Sequence, residues 1–357
     1  MRCILHIGTE KTGTTAIQKA LEKEKKLLRD SNTVYPSVFH RGNDPKIVCY
    51  AMENHSMDMR KRRYHLDNDA AIEGFRDRLR RDMAEDLKES PETTIIVNEH
   101  LSRLREVGEL ERLKKFLLEF FDEVKIILYL RRQDKLMKSM YSTVVKVGGV
   151  RSNVFPTWPE HKAGDFTTFD YRRIVDLWCH VWGEDCITIR TFDRLLNGDV
   201  VADFMSFADI EVPDGKVFDR QNESISFQAI HTLREINKHI PREFRGNLGP
   251  MSGRLFPGKG VSVTRSEAAE FLSHFEEGNN YVARKYLSME RLFEPIGESE
   301  YPEYLDPSAT TVSAPQMAEI FAKLWVEKVK QHREAVNKVA FLKDELSRAT
   351  KKTDDVK

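Results

Sequence analysis

Cysteine is scarce in this chain of 357 residues, which has four cysteines and no Cys-x-x-Cys pair. A disulfide framework is therefore not expected, and neither is a cysteine-based metal site. Long apolar runs are also missing, since no stretch approaches the roughly 18 apolar residues of a membrane helix. Met1 leads directly into a strand-like pattern without a leader-like apolar segment. These features predict a cytoplasmic protein without a membrane span.

An excess of one charge sign is lacking as well, because 57 Lys and Arg residues balance 57 Asp and Glu residues. This balance does not call for a nucleic acid or a membrane surface as partner. Apolar residues make up 40% of the chain, which is enough for a substantial core. The length fits one large α/β domain or two small ones.

Short apolar runs alternate with helical patterns in the first 200 residues, without hairpin signals between them. Strands are predicted at 2–7, 33–35, 93–97, 124–130 and 186–191, and helices at 14–29, 69–89, 109–121, 133–147 and 170–183. Such alternation indicates a parallel sheet with helices on both faces. Helices alone are predicted later, at 200–209, 226–239, 265–276, 278–288 and 315–346. We therefore predict a single domain over 1–346, with a sheet-containing nucleotide-binding part (1–200), a mainly helical part (201–346) and a disordered tail (347–357).

The segment between the first strand and the first helix, residues 8–15, is the most informative part of the sequence, and we call it the Gly8 loop. It is bounded by Gly8 and Gly13, and Thr14 and Thr15 open the helix. Backbone N–H groups and the positive end of a helix dipole converge on an anion in this arrangement. The alternative is a plain glycine turn in which Thr14 caps the helix.

The Gly8 loop lacks the lysine that follows the second glycine of a Walker A loop, G-x-x-x-x-G-K-S/T. Thr14 occupies that position, and Lys11 lies inside the loop instead. The strand at 93–97 is followed by Asn98 and Glu99 rather than by a clear Walker B aspartate. An ordinary magnesium-dependent nucleotidase is therefore disfavoured, and Lys11 itself is expected to neutralise the leaving group.

Residues 6–15 resemble the 5′-phosphosulfate loop of sulfotransferases that use 3′-phosphoadenosine 5′-phosphosulfate (PAPS). That loop typically reads P-K-x-G-T-T, and here Glu10 replaces the proline while the remaining pattern is kept. A second segment is similar to the family's 3′-phosphate motif, in which Arg131 ends a strand and Ser139 follows eight residues later on a helix. Arg132 is expected to point the other way, because side chains alternate along a strand.

The resemblance, closest to bacterial carbohydrate sulfotransferases, implies a P-loop-like three-layer α/β/α fold. It implies transfer of a sulfuryl group from PAPS to a hydroxyl or amine of a carbohydrate or glycolipid, with no metal required. Pro257-Gly258-Lys259-Gly260 is similar to a basic glycine loop over the 3′-phosphate, although a surface turn has the same composition. The residues predicted to bind the co-substrate are Glu10, Lys11, Thr12, Gly13, Thr14, Thr15, Arg131, Ser139 and Lys259.

The predicted catalytic residues are Lys11, at the bridging oxygen of PAPS, and a general base, Glu99 or His100. Both candidates for the base directly follow the strand at 93–97, and the resemblance does not decide between them. Glu99 is preferred; in the alternative, it orients His100 or caps the following helix. A base at this position needs a pKa suited to accepting a proton near neutrality.

Two other functions remain open. An atypical P-loop kinase would lose activity in EDTA, whereas a sulfotransferase would not. A non-catalytic nucleotide-binding protein would keep its role when Glu99 and His100 are both replaced by alanine. The predicted partners are the nucleotide and a small-molecule or glycan acceptor, without nucleic acid, and a homodimer is left open. The loop at 148–169 is expected to help shape the acceptor site.

Overall fold

The computed structural model describes residues 1–39, 44–56, 58–156, 167–213, 215–216, 218, 224–245, 248–306 and 311–354. The chain divides into two compact units. The first comprises Met1–Met137, Phe155–Gln221 and Ser266–Gly297, and the second comprises Lys138–Val154, Asn222–Arg265 and Glu298–Lys357. The single domain and its division near residue 200 stay predictions.

The first unit is built on a five-stranded sheet in which every neighbouring pair is parallel. Its strands are β1 (Arg2–His6), β2 (Thr33–Val34), β3 (Thr93–Val97), β4 (Glu123–Leu130) and β5 (Ile187–Thr191). Their order across the sheet is β2-β3-β1-β4-β5. The predicted α/β class with a parallel central sheet is confirmed.

Helices surround this sheet because its strands are apolar on both faces. All five residues of β3 are buried, and Cys3, Ile4 and Leu5 of β1 are fully buried. Successive side chains of a strand point to opposite faces, so both faces are covered, as in a three-layer arrangement. The first helices are α1 (Thr14–Lys23), α2 (Lys25–Asp30), α3 (Lys46–Ala51), α4 (Met59–Arg62), α5 (Asp69–Asp86) and α6 (Val107–Leu118). The helices that follow along the chain are α7 (Gln133–Lys146), α8 (Tyr171–Trp182), α9 (Val200–Phe207), α10 (Phe227–His239), α11 (Gly249–Leu255), α12 (Arg265–Ser273), α13 (Glu276–Leu287) and α14 (Ala314–Asp354). Of these, α10, α11 and α14 belong to the second unit.

The helix predicted at 14–29 is two helices, because the backbone leaves the helical conformation at Glu24 (φ −93°, ψ 40°). The short helices α3, α4 and α11 were not predicted, since four to seven residues are too few to show an apolar period. Part of the predicted loop at 148–169, namely residues 157–166, lies outside the described residues. No helix in the described ranges combines the length and apolar character needed to cross a membrane.

The second unit has an apolar core of its own. Tyr141 and Val145 of α7 pack there with residues of α10 and with Ile320 and Leu324 of α14. Farther along α14 the apolar side chains Val336, Val339, Phe341 and Leu342 are exposed. The structure continues α14 to Asp354, where the sequence predicted a disordered tail from 347; residues 355–357 lie outside the described residues.

The order of the strands brings the segments that follow β1, β3 and β4 to one edge of the sheet. β1 lies between β3 and β4, with His6 level with Val97 on one side and with Ile127 on the other. The carboxyl ends of these strands lead into the Gly8 loop, into residue 98 and into Arg131. In parallel sheets, ligands bind in the crevice beyond the carboxyl ends of the strands where the direction of winding changes. The candidate site therefore lies at this edge of the sheet.

Candidate functional site

The Gly8 loop is fixed to β4 by backbone hydrogen bonds. The Tyr129 N–H donates to the Gly8 carbonyl at 2.8 Å, and the Thr9 N–H donates to the Tyr129 carbonyl at 2.8 Å. The Thr9 hydroxyl also donates to the Tyr129 carbonyl, and the Thr12 hydroxyl donates to the Thr9 carbonyl at 2.6 Å. Thr12, predicted to bind the co-substrate, therefore uses its hydroxyl inside the loop. The result is a loop with a defined shape, close to the carboxyl end of the sheet.

Both glycines of the Gly8 loop occupy positions where a side chain would collide with neighbours. Gly13 has φ +86°, and a Cβ placed there would lie 2.5 Å from Val200 Cγ1. Gly8 has φ +104°, and its Cβ would lie 2.7 Å from the Glu99 carbonyl oxygen. Left-handed backbone costs little only for glycine. The glycine spacing seen in the sequence therefore serves close approach of the loop to α9 and to the segment after β3.

Replacing Gly13 by alanine is expected to destabilise the first unit by about 2 kcal/mol, because it adds a collision with Val200 to an unfavourable φ. Gly74→Ala is the matched control, since a Cβ at Gly74 in α5 meets only Arg78 Nη1, at 3.9 Å. The control is expected to be neutral or stabilising, as alanine is the better helix former. Thermal unfolding of both variants measures the difference, and equal midpoints would contradict the prediction.

The start of α1 lacks the usual cap. Gly13 occupies the N-cap position and provides no side-chain acceptor for the N–H groups of the first turn. Thr14 is buried, with 1% of the residue exposed, and its hydroxyl lies close enough to the Glu99 carboxyl to lower the pKa of that group, although it makes no regular hydrogen bond within the described part of the chain. Thr15, by contrast, is exposed. A buried hydroxyl without a regular hydrogen bond is unfavourable, so an external acceptor such as a phosphate or sulfate oxygen would improve this arrangement.

Lys11 adopts φ +64° in the Gly8 loop, a left-handed conformation that is uncommon for a residue with a side chain. Its ammonium lies near enough to Glu99 to lower the pKa of that carboxyl. The structure therefore brings Lys11, Thr14 and Glu99 together, although they come from a loop, a helix and the segment after another strand.

Glu99 opens a short 3-10 helix, Glu99–Arg103, directly after β3. Asn98 fixes this turn, because its side chain accepts from the His100 N–H at 3.0 Å and donates to the Asp44 carbonyl at 2.8 Å. Burial raises the pKa of the Glu99 carboxyl, and the Glu10 carboxylate raises it further, whereas His100, Thr14 and Lys11 act in the opposite direction. A carboxyl with a raised pKa beside a potential anion site suits proton transfer.

Glu10 makes contacts other than those predicted for it. Its carboxylate accepts from Arg103 Nη2 at 2.5 Å and lies 3.1 Å from His100 Nδ1. Burial would raise the pKa of Glu10, but the hydrogen bond with His100 and the charge of Arg103 lower it to about 2. Arg103 was not predicted, because no local pattern connects it with a residue 93 positions away. Glu10 is therefore an ionised anion at the loop, a poor choice for contact with a phosphate.

Glu10, Glu99 and His100 each offer one possible metal-ligand atom, and these atoms lie within 4.8 Å of one another. Two cations already lie beside this cluster: Arg103 forms an ion pair with Glu10, and Lys11 lies near Glu99. These two cations oppose the addition of a divalent ion. We therefore do not assign these residues as metal ligands.

Arg131 and Arg132 point in different directions, as strand alternation predicted. Arg131 Nη1 donates to the Lys11 carbonyl at 2.9 Å, and its guanidinium lies over the Phe192 ring. Arg132 is buried in a two-point ion pair with Asp134, at 2.8 Å for each contact. Arg131 therefore contacts the Gly8 loop, whereas Arg132 is paired with Asp134.

The other two predicted residues lie in the second unit. Ser139 is partly buried on α7, and its carbonyl accepts from the Thr143 hydroxyl at 3.2 Å. Lys259 is exposed, and its carbonyl accepts from the Phe227 N–H at 2.9 Å. Their part in co-substrate binding stays a prediction.

Comparisons with known proteins leave the function open. No family model matches the chain. An uncharacterized protein of Archaeoglobus fulgidus is 27% identical to it over 210 residues, which are 56% of this chain. The match spans 55% of that relative, so the chain corresponds to about half of its length. No solved structure matches.

Proposed function

We propose that this chain is a PAPS-dependent sulfotransferase with a P-loop-like fold, acting on a hydroxyl or amine of a carbohydrate or glycolipid. The observation that carries the proposal is the uncapped start of α1, where the buried Thr14 hydroxyl makes no regular hydrogen bond and lies next to Lys11 and Glu99. In this proposal the start of α1 binds the anionic phosphate of the co-substrate, and the Glu99 carboxyl accepts the proton of the acceptor. The proposed location is the cytoplasm, where unpaired cysteines such as Cys3 and Cys49 are usual.

In the proposed reaction the acceptor oxygen attacks the sulfur atom while Glu99 takes the proton of the acceptor hydroxyl. The bond between sulfur and the bridging oxygen breaks, and its electron pair stays on the 5′-phosphate of the departing nucleotide. The products are a sulfate ester and 3′-phosphoadenosine 5′-phosphate (PAP). Charge grows on the departing oxygen, so a cation and N–H donors fixed there stabilise the transition state most.

In this proposal each residue of the site has its own role in binding the co-substrate and stabilising the departing oxygen. The first-turn N–H groups of α1 and the Thr14 hydroxyl are proposed to hold the 5′-phosphate. Lys11 is proposed to face the bridging oxygen. Arg131 holds the loop through the Lys11 carbonyl, and a guanidinium has further N–H donors for a nucleotide phosphate.

Calorimetry with PAP and with ATP tests the proposal. We expect PAP to bind at least about tenfold more tightly, and Arg131→Ala to weaken PAP binding by about 2 kcal/mol, because a guanidinium–phosphate contact is lost. Arg131→Lys should recover part of the affinity, since it keeps the charge without the planar fork. Lys88→Ala, at an exposed position in the same unit, is the control.

Equal affinity for PAP and ATP would remove the support for a PAPS enzyme. Tighter ATP binding that requires Mg²⁺, together with loss of activity in EDTA, would favour the atypical P-loop kinase instead. PAP binding without any transfer to an acceptor panel would favour a non-catalytic nucleotide-binding protein.

A further inference from the structure

We infer that Glu10 is a positioning residue for the base: held by Arg103 and His100, its carboxylate lies close to that of Glu99, and its negative charge makes Glu99 a stronger proton acceptor. This inference rests on the proposed function, in which Glu99 is the base. It replaces the predicted contact of Glu10 with the co-substrate. It also explains why an acidic residue can be accommodated in a loop that is otherwise suited to anions.

Arg103 and His100 both hold the Glu10 carboxylate, which itself lies close to the Glu99 carboxylate. Possible ligand atoms of Glu10, Glu99 and His100 lie within 4.8 Å of one another. Arg103 and His100 belong to the same 3-10 helix as Glu99, yet both contact Glu10, at 2.5 and 3.1 Å. Glu10 therefore takes its position from two residues of the segment that carries Glu99. A carboxylate paired with arginine is itself a weak base, so Glu10 acts through its charge rather than as the base.

Glu10 acts on Glu99 by direct repulsion between their two negative charges. Its carboxylate stays ionised at neutral pH, since its pKa is about 2. A fixed negative charge close to Glu99 disfavours a second negative charge there, and this raises the pKa of Glu99 in addition to the effect of burial. The charged and polar groups that surround this pair come from four elements: Lys11 of the Gly8 loop, Thr14 of α1, His100 and Arg103 of the 3-10 helix, and Arg60 of α4, which is itself paired with Asp58 at 3.2 Å.

Glu10→Gln tests this inference, because it removes the charge with little change in shape. The Glu99 carboxyl is expected to titrate at lower pH in the variant. The rise of kcat with pH should move to lower pH as well, and kcat above this rise should fall about tenfold, because Glu99 becomes a weaker base. Glu10→Asp keeps the charge and should keep the position of the rise.

Stability alone does not distinguish positioning from a structural role. Glu10 has a folded-state pKa below its ordinary value of 4.5, so its ion pair stabilises the fold above that pH and loses this effect as the pH falls toward about 2. Glu10→Gln should therefore also lower the thermal midpoint at neutral pH. The deciding measurement is carbon NMR of labelled glutamate in the free protein, with the Glu99 signal assigned by its loss in Glu99→Gln.

The NMR measurement separates the two proposals because it requires no reaction. An unchanged Glu99 titration in Glu10→Gln would overturn the inference even if the protein transfers sulfuryl groups. A titration that moves to lower pH would support the coupling of the two carboxyls. If the same protein bound neither PAP nor PAPS, the proposed function would fail while the coupling stood.

Discussion

Replacing Glu99 by glutamine is expected to reduce kcat for sulfuryl transfer by about 10³-fold, because the amide cannot accept the proton of the acceptor hydroxyl. Glutamine keeps the size of the side chain and its place at the start of the 3-10 helix, so KM for PAPS should change little. Glu92→Gln is the matched control, since Glu92 is exposed and precedes the opposite end of β3. Its kcat should equal that of the wild type.

The pH profile gives the second part of this prediction. A base works in its deprotonated form, so wild-type kcat should rise with pH through the pKa of Glu99. Burial and Glu10 raise that pKa, and the rise should therefore lie above the pH expected of an ordinary glutamate. Residual activity of Glu99→Gln should lack this rise.

His100→Gln distinguishes the two candidates that the sequence left open. If Glu99 is the base, the His100 variant should lose less activity than Glu99→Gln, because the His100 ring contacts the Glu10 carboxylate and is not itself the proton acceptor. Near wild-type activity in Glu99→Gln, combined with severe loss in His100→Gln, would assign the base to His100 and contradict the present assignment.

The sheet could be predicted from the sequence because its strands carry a strong local signal. Thr93–Val97 is a β-branched run whose predicted and observed bounds agree, and each of the other strands differs from its prediction by one residue at one end. Buried parallel strands form continuous apolar runs that need no partner to be recognised. The order β2-β3-β1-β4-β5 was not predicted, since it depends on which runs pair in space.

The candidate site was predictable where its residues belong to a local motif at a strand end, which includes Glu99 after β3 and Arg131 after β4. The glycines, Lys11 and Thr14 form one continuous motif, and the structure places them at a strand end and a helix start. Arg103 was missed because its contact with Glu10 joins two distant segments. For the same reason Glu10 was assigned with the loop that contains it, and its actual contacts emerged only from the folded chain.

Replacing Lys11 by methionine is expected to lower kcat by about 10²–10³-fold, because the departing oxygen loses the cation that offsets its growing charge. Methionine keeps much of the length of the side chain. The backbone carbonyl of residue 11 can still accept from Arg131, which helps to hold the left-handed conformation at this position. PAP binding should weaken by no more than about tenfold, since a contact made chiefly in the transition state affects kcat more than ground-state affinity. Lys19→Met, at an exposed position of α1, provides the comparison for loss of one positive charge.

A leaving group with a lower pKa offers a stricter test of this role for Lys11. With an aryl sulfate donor whose phenol has a pKa below about 6, the second pKa of a phosphate monoester, the departing oxygen needs less stabilisation, so Lys11→Met should lose less activity than it does with PAPS. Equal losses with both donors would indicate that Lys11 binds the sulfuryl group or the nucleotide rather than the departing oxygen. Wild-type kcat with PAPS in Lys11→Met would contradict the proposed mechanism, because no other cation in the Gly8 loop could take over that role.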